Sequence, residues 1–205
     1  MSVQVVAVDL ALPAAVVARL DALLPAAERT ARPTVRVLRA RTRELLGARL
    51  GIAPHAVEVS RRCRHCGHPT HGKPMLTGAP DISFSVSHSG TIGVIAVAGG
   101  EGVHVGVDIE QVRPRANLAG LATRTLGPEA LAAWHAAPES EQLTRFLHAW
   151  TAKEAYLKAV GTGITVRLSE VPEQPVGWSV ERLSVADGYV AALARRISAN
   201  GGTGG

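Results

Sequence analysis

Ile82-Ser83-Phe84-Ser85-Val86, Ile92-Gly93-Val94-Ile95-Ala96-Val97 and Val103-His104-Val105-Gly106-Val107-Asp108-Ile109-Glu110 follow one another closely, separated by Ser-Gly and Gly-Gly pairs. Short runs rich in β-branched residues between such turn signals predict three strands, arranged as an antiparallel meander. The third run carries more than fold information. Asp108 and Glu110 stand two apart at the end of an otherwise apolar strand, so both carboxylates project from one face. Like charges held that close repel, and a cation between them relieves the repulsion. A sparse set of oxygen donors suits Mg²⁺, which keeps waters and completes its shell from substrate phosphates. A strand end with solvated acids fits the same residues.

Working outward, the N-terminal side predicts a strand over Val3 to Val8 and a helix over Ala14 to Leu24, where Leu20, Leu23 and Leu24 recur at helical spacing. Pro33 suits a first helical turn. Val35 to Leu50 reads as an amphipathic helix, with Val37, Leu38, Leu45 and Leu46 apolar and Arg36, Arg39, Arg43 and Arg49 polar. Val57 and Val59 then alternate, and a Cys/His/Gly/Pro-rich loop runs from Arg61 to Pro80. On the C-terminal side, helices are expected from about Asn117, with a start signal at Gly127-Pro128. A long helix from Glu139 to Val160 is closed by Gly161. Trp178 to Leu183 and Tyr189 to Ala194, joined by Asp187-Gly188, predict a hairpin. Ser198 to Gly205 has almost nothing to bury and is expected to be disordered. Helix and short strands occur in each half, which predicts an α+β protein of two lobes: residues 1–100, residues 101–197, and the tail 198–205.

Composition narrows the function classes. The chain has 205 residues, 46% of them hydrophobic, enough for a core without assistance. No apolar run is long enough for a membrane span. The opening Met1 to Pro13 lacks a basic leader and carries Asp9, so a cytoplasmic protein is expected. A net charge of +5, carried mostly by arginine, suits an acidic partner. With only 3% aromatic residues, stacking platforms for single-stranded nucleic acid are scarce. A small polyphosphate or an acidic protein fits better.

The second chemical stretch is Trp150-Thr151-Ala152-Lys153-Glu154-Ala155-Tyr156-Leu157-Lys158. On a helix, Glu154 and Lys158 share a face and present an acid and a base together, although that spacing is also an ordinary helix ion pair. Together, in this order, the two stretches resemble the paired signatures of the 4′-phosphopantetheinyl transferase superfamily. One is an apolar-Gly-apolar-Asp-apolar-Glu strand; the other is Trp-x-x-Lys-Glu-Ala-x-x-Lys on a helix. The Gly72-Lys73-Pro74 loop, Ser85-Val86-Ser87-His88-Ser89-Gly90 and the chain length resemble the large monomeric type that serves polyketide and nonribosomal peptide synthetases.

The resemblance implies a pseudo-dimer of two similar α+β lobes with coenzyme A in the cleft between them. It implies transfer of the phosphopantetheinyl arm to a serine of an acidic acyl, peptidyl or aryl carrier protein by a monomeric enzyme, with neither nucleic acid nor membrane as partner. Carried over by residue, Asp108, Glu110 and Glu154 hold Mg²⁺ and Lys158 binds the pyrophosphate. Ser87 and His88 meet the phosphates, His88 chiefly the 3′-phosphate, and Gly72, Lys73 and Pro74 shape the adenine site. A phosphate beside His88 would favour the imidazolium. Arg29, Arg32 and Arg36 are candidates to complete the 3′-phosphate site, and a solvated basic helix face fits the same three residues. Asp108, Lys158 and Glu154 form the catalytic set. The base that accepts the serine proton is Glu154, acting directly or through a metal-bound water.

Cys63, Cys66 and the histidines at 65, 68 and 71 offer knuckle spacing for zinc. A second Cys-x-x-Cys is absent and the histidines crowd one short loop, which favours a reduced, metal-free loop. A zinc-knuckle nucleic-acid binder would use this loop and the positive charge but leave the acids unexplained. A catalytically silent coenzyme A binder would not need the intact acid set.

Overall fold

The computed structural model describes residues 2–61, 72–162 and 166–197. Cys63, Cys66 and the tail from Ser198 lie outside the described residues. In chain order the elements are β1 (Val3–Asp9), α1 (Ala14–Asp21), α2 (Pro33–Leu50), β2 (Val59–Ser60), β3 (Met75–Leu76), β4 (Ile82–Ser89) and β5 (Ile92–Gly99). There follow β6 (Val105–Gln111), α3 (Leu118–Thr125), α4 (Pro128–His135), α5 (Glu139–Val160), β7 (Trp178–Leu183) and β8 (Tyr189–Arg196). The fold is α+β, with small antiparallel sheets. Among the described residues no helix is long and apolar enough to cross a membrane.

One three-stranded sheet has the order β1-β5-β4 and the other β6-β8-β7, with β2 and β3 forming a separate ribbon. The meander expectation is therefore corrected. β4 and β5 form the predicted hairpin, but β6 leaves it and pairs with β8. Both edges of β5 are already taken, by β1 and β4, so no ladder position remains there for β6. Period-two patterning specifies which face a side chain occupies and says nothing about which strand lies alongside.

That patterning explains how the sheets stack. On β5, Ile95 and Val97 join the apolar cluster under α1 and α2, which includes Leu20, Leu24, Val37 and Leu46. Val94, Ala96 and Ala98 face the other way, into a second cluster with Val105, Val107, Ile109, Ala191 and Leu193. β5 is thus buried on both faces, as its nearly continuous apolar sequence requires. Each fully buried Val, Leu or Ile side chain contributes about 1.5–3 kcal/mol relative to exposure.

With its odd-numbered side chains committed to this inter-sheet core, β6 turns Gly106, Asp108 and Glu110 toward α5. At Gly106 the helix lies directly on the strand: a Cβ there would fall on the Ala155 carbonyl oxygen and the Ala159 amide. α5 starts after Pro138 and ends at Gly161, whose φ of +87° is a left-handed cap. α2 starts with Pro33 at its first turn and ends at Gly51 in the same conformation. α1 stops at Asp21, short of the expected Leu24. The arginine face of α2 is not uniformly solvated: Arg43 is 4% exposed, pairs with Glu28 at 2.9 Å and donates to the Val57 carbonyl. Burying a guanidinium is tolerable here because both acceptors meet it.

Candidate active site

The serines of β4 occupy alternate positions, and three of them dock the strand on β6. The hydroxyls of Ser83, Ser85 and Ser89 accept the backbone N–H groups of Val105, Val107 and Gln111, each at 3.1 Å. This side-chain-to-backbone ladder joins the two sheets at a constant offset of 22 residues. Ser87, the intervening rung, does something else. Its hydroxyl donates to Asp108 Oδ1 at 2.7 Å and accepts from Lys158 Nζ at 2.9 Å.

Asp108 is 5% exposed. Its Oδ1 also accepts from Lys158 Nζ at 2.6 Å, while Oδ2 is buried without a partner. Burial raises the Asp108 pKa; Lys158 and the Ser87 hydrogen bond pull it back down, and Glu110 pushes it up again. Glu154, 8% exposed, has Oε1 buried and unpartnered. Its pKa is also raised, first by burial and then by Asp108, with Lys158 opposing and Glu110 adding to the rise. The third acid is engaged: Glu110 Oε2 accepts from Arg115 at 2.5 Å and from Ser89 at 3.1 Å.

The two chemical motifs of the sequence therefore meet, but Lys158 is bonded to Asp108 across the strand–helix interface. Its carboxylate partner is not Glu154 one turn earlier, as an ordinary helix pair would require. Among the described residues no three such side chains stand close enough for a ready-made metal cage. What is present is a pair of buried oxygens without partners, Asp108 Oδ2 and Glu154 Oε1, on acids strained by mutual repulsion. That donor chemistry fits Mg²⁺, which is usually held by one or two carboxylates plus substrate phosphates.

His88, the residue after Ser87, has its pKa lowered by burial and by the positive charges of Arg32 and Lys158. Of the three N-terminal arginine candidates, Arg32 is thus the one whose charge reaches His88. Arg36 is held by Asp21 at 2.7 Å, and Arg29 Nε donates to the Leu24 carbonyl at 3.0 Å. Lys73 Nζ donates to the carbonyls of Val105 and Ala159, each at 2.9 Å, and to Ser83 at 3.3 Å. It ties the Gly72–Pro74 loop to both β6 and the end of α5. Pro74, Met75, Phe84, His104 and Gly161 line a cleft beside it.

Two features escaped the sequence reading. Arg115 claims Glu110 from the loop after β6, and nothing local signals it. Lys153, in the same motif as Lys158, is 2% exposed and donates to the carbonyls of Thr125 at 2.9 Å and Leu168 at 3.0 Å. Burial lowers its pKa, with Glu173 opposing. It braces α5 against α3 and the turn at Leu168–Glu170.

An α+β protein with a buried acid–base cluster, made where one strand crosses one helix and flanked by basic groups, is a candidate for work on phosphate esters. Comparison with known proteins narrows this class: residues 104–196 match the model of the 4′-phosphopantetheinyl transferase superfamily. The chain is 32% identical over 165 residues to the 4′-phosphopantetheinyl transferase HetI of Nostoc sp., covering 74% of this chain and 66% of that protein. It is also 32% identical over 140 residues to 4′-phosphopantetheinyl transferase psf-1 of Bacillus pumilus, covering 62% and 58% respectively. With 4′-phosphopantetheinyl transferase Sfp of Bacillus subtilis it shares 31% identity over 98 residues, covering 48% and 42%. Each match spans less than two thirds of the relative's length.

Proposed function

We propose that this chain transfers the 4′-phosphopantetheinyl group of coenzyme A to a serine hydroxyl of an apo carrier protein and releases 3′,5′-adenosine bisphosphate. The observation that carries this reading is the pair of buried, unpartnered oxygens on Asp108 and Glu154 beside the Lys158 ammonium. Such a cluster is costly unless a ligand completes it. A pyrophosphate, with its positive counter-ion, has the charge to do so.

In this reading residues 1–100 and 101–197 are the two similar lobes of a pseudo-dimer, with the coenzyme between them. The enzyme is a monomer of the large type serving polyketide and peptide synthetases, working in the cytoplasm. Asp108 and Glu154 would hold Mg²⁺, with Glu110 as a further ligand once it leaves Arg115. The metal, when bound, neutralises charge on the pyrophosphate oxygens. Lys158 binds the pyrophosphate, and His88 with Arg32 receives the 3′-phosphate. The cleft beside Gly72, Lys73 and Pro74 accepts the adenine. An apolar groove lined by Leu121, Phe146 and Trp150, opening beside Glu110 and Arg115, suits the pantetheine arm.

The carrier serine attacks the β-phosphorus, the bond to the bridging oxygen breaks, and the bisphosphate leaves. Glu154 accepts the serine proton, and its raised pKa makes it a better base than a free carboxylate. Arginine-rich surface attracts the acidic face of the carrier. The test is to mix the protein with coenzyme A, Mg²⁺ and a panel of apo acyl, peptidyl and aryl carriers and to weigh the products. A gain of one phosphopantetheinyl group is expected; unmodified carriers throughout would refute the assignment.

A further inference from the structure

The resemblance to phosphopantetheinyl transferases places Ser87 against the phosphates of the coenzyme, yet its hydroxyl is committed elsewhere. Ser85 and Ser89 lock β4 to β6 on either side through the Val107 and Gln111 amides. That fixed register leaves Ser87, 8% exposed, facing the Asp108 carboxylate at 2.7 Å. We infer that Ser87 is a positioning residue for Asp108: its hydroxyl pins Oδ1, so that Oδ2 stays turned to the metal position shared with Glu154. This rests on the functional reading above.

Three observations support it. First, Ser87 departs from the pattern of its three neighbours, all of which accept backbone amides. Second, Asp108 has one saturated oxygen and one bare oxygen, the asymmetry expected of a carboxylate oriented by its surroundings to bind a cation with the other atom. Third, the other donor on Oδ1 is the Lys158 ammonium, the group that the functional reading assigns to the pyrophosphate. Once the pyrophosphate draws Lys158 away, Ser87 is the remaining donor on Oδ1. Its contribution therefore grows in the loaded site.

The experiment compares wild-type protein with Ser87→Ala, Ser87→Cys and Ser87→Thr. Mn²⁺ affinity is measured by electron paramagnetic resonance in the presence of coenzyme A, and coenzyme A affinity by calorimetry in EDTA. Loss of the hydroxyl in the alanine variant should weaken Mn²⁺ binding about tenfold or more, as for other groups that orient metal ligands. Coenzyme A affinity without metal should stay within about twofold of wild type, because the hydroxyl touches no phosphate; a larger weakening there with Mn²⁺ affinity kept overturns the inference in favour of a phosphate contact. Threonine should restore Mn²⁺ binding, and cysteine, a poor donor of similar shape, should not. The cysteine variant carries the test if the alanine variant fails to fold. Unchanged Mn²⁺ affinity in folded alanine or cysteine variants of a protein that binds coenzyme A overturns this inference alone. A wild-type protein that binds neither coenzyme A nor Mn²⁺ overturns the functional reading and this inference with it.

Discussion

Lys158 Nζ lies 2.6 Å from Asp108 Oδ1, bridging α5 to β6, with the lysine side chain 32% exposed and the aspartate 7%. An exposed helix pair at four-residue spacing contributes only about 0.3–0.5 kcal/mol. Removing one partner of a buried pair costs far more, because the other charge is left uncompensated. Since Lys158 is a third exposed, Lys158→Ala should destabilise the free protein by about 1–3 kcal/mol at neutral pH. The deficit should shrink as pH falls, because a protonated Asp108 needs no counter-charge. Transfer should drop by about 2–4 kcal/mol at the transition state, roughly thirty- to several-hundred-fold in kcat/KM. Thermal melting at several pH values beside steady-state kinetics checks both. A pH-independent melting point equal to wild type would return Lys158 to a surface role.

Gly106 predicts a different failure. A methyl group there meets helix backbone on α5, which cannot swing aside as a flexible side chain could. Gly106→Ala should push α5 off β6, lowering the melting point and separating Glu154 and Lys158 from Asp108. Activity should fall even well below the melting temperature. A variant with wild-type kinetics at low temperature would show that the helix–strand spacing is not set at this residue.

Much of this arrangement is legible in the sequence. α5 begins and ends at the expected residues because Pro138 and Gly161 punctuate it, and the even residues of β6 face one way because alternation demands it. The pairing of β6 with β8 was not legible, since edges carry no residue pattern of their own. Nor was the choice of Asp108 over Glu154 by Lys158, which depends on how closely Gly106 lets the helix approach. The α2 pattern places Arg43 on a polar face, yet it is buried, because Glu28 and Val57 arrive from elsewhere in the chain. The alternate serines at 83, 85, 87 and 89 were visible as a pattern, but a docking ladder follows only when β6 is known to lie beside them.

His88 supplies a proton-linked prediction. Burial and the charges of Arg32 and Lys158 depress its pKa below the ordinary 6.5, so the free site holds a neutral ring at neutral pH. A phosphate reverses the balance and favours the cation, and binding then takes up a proton. Affinity gained from the 3′-phosphate should therefore be larger at pH 6 than at pH 8. Coenzyme A and its 3′-dephospho form are compared by calorimetry at both values. His88→Ala should remove most of the difference, and an equal preference at both pH values in the wild type would detach His88 from the phosphate.

Glu154 separates stability from activity most sharply. Its pKa is raised from 4.5 by burial and by repulsion from Asp108, partly offset by Lys158. The folded free protein therefore binds this proton more tightly than the unfolded chain does. The sign follows: the stabilisation tied to Glu154 is fully present below pH 4.5 and is lost as pH rises through the raised folded value. Once ionised, the side chain sits buried with an unpartnered oxygen, a cost tolerable only in a site awaiting a ligand. Glu154→Gln keeps the shape and removes the charge. It should raise the melting point of the metal-free protein at pH 7.5 by about 2–4 °C, the equivalent of about 1 kcal/mol for a chain of this size. The gain should fade toward pH 5. Transfer should be lost, because the variant has neither a base nor an anionic metal ligand at this position. Melting curves across pH, with carrier modification followed by mass, provide the check. A glutamine variant that melts lower than wild type at pH 7.5 would mean that the carboxylate is satisfied in the free protein, and the case for a strained, ligand-ready site would fail.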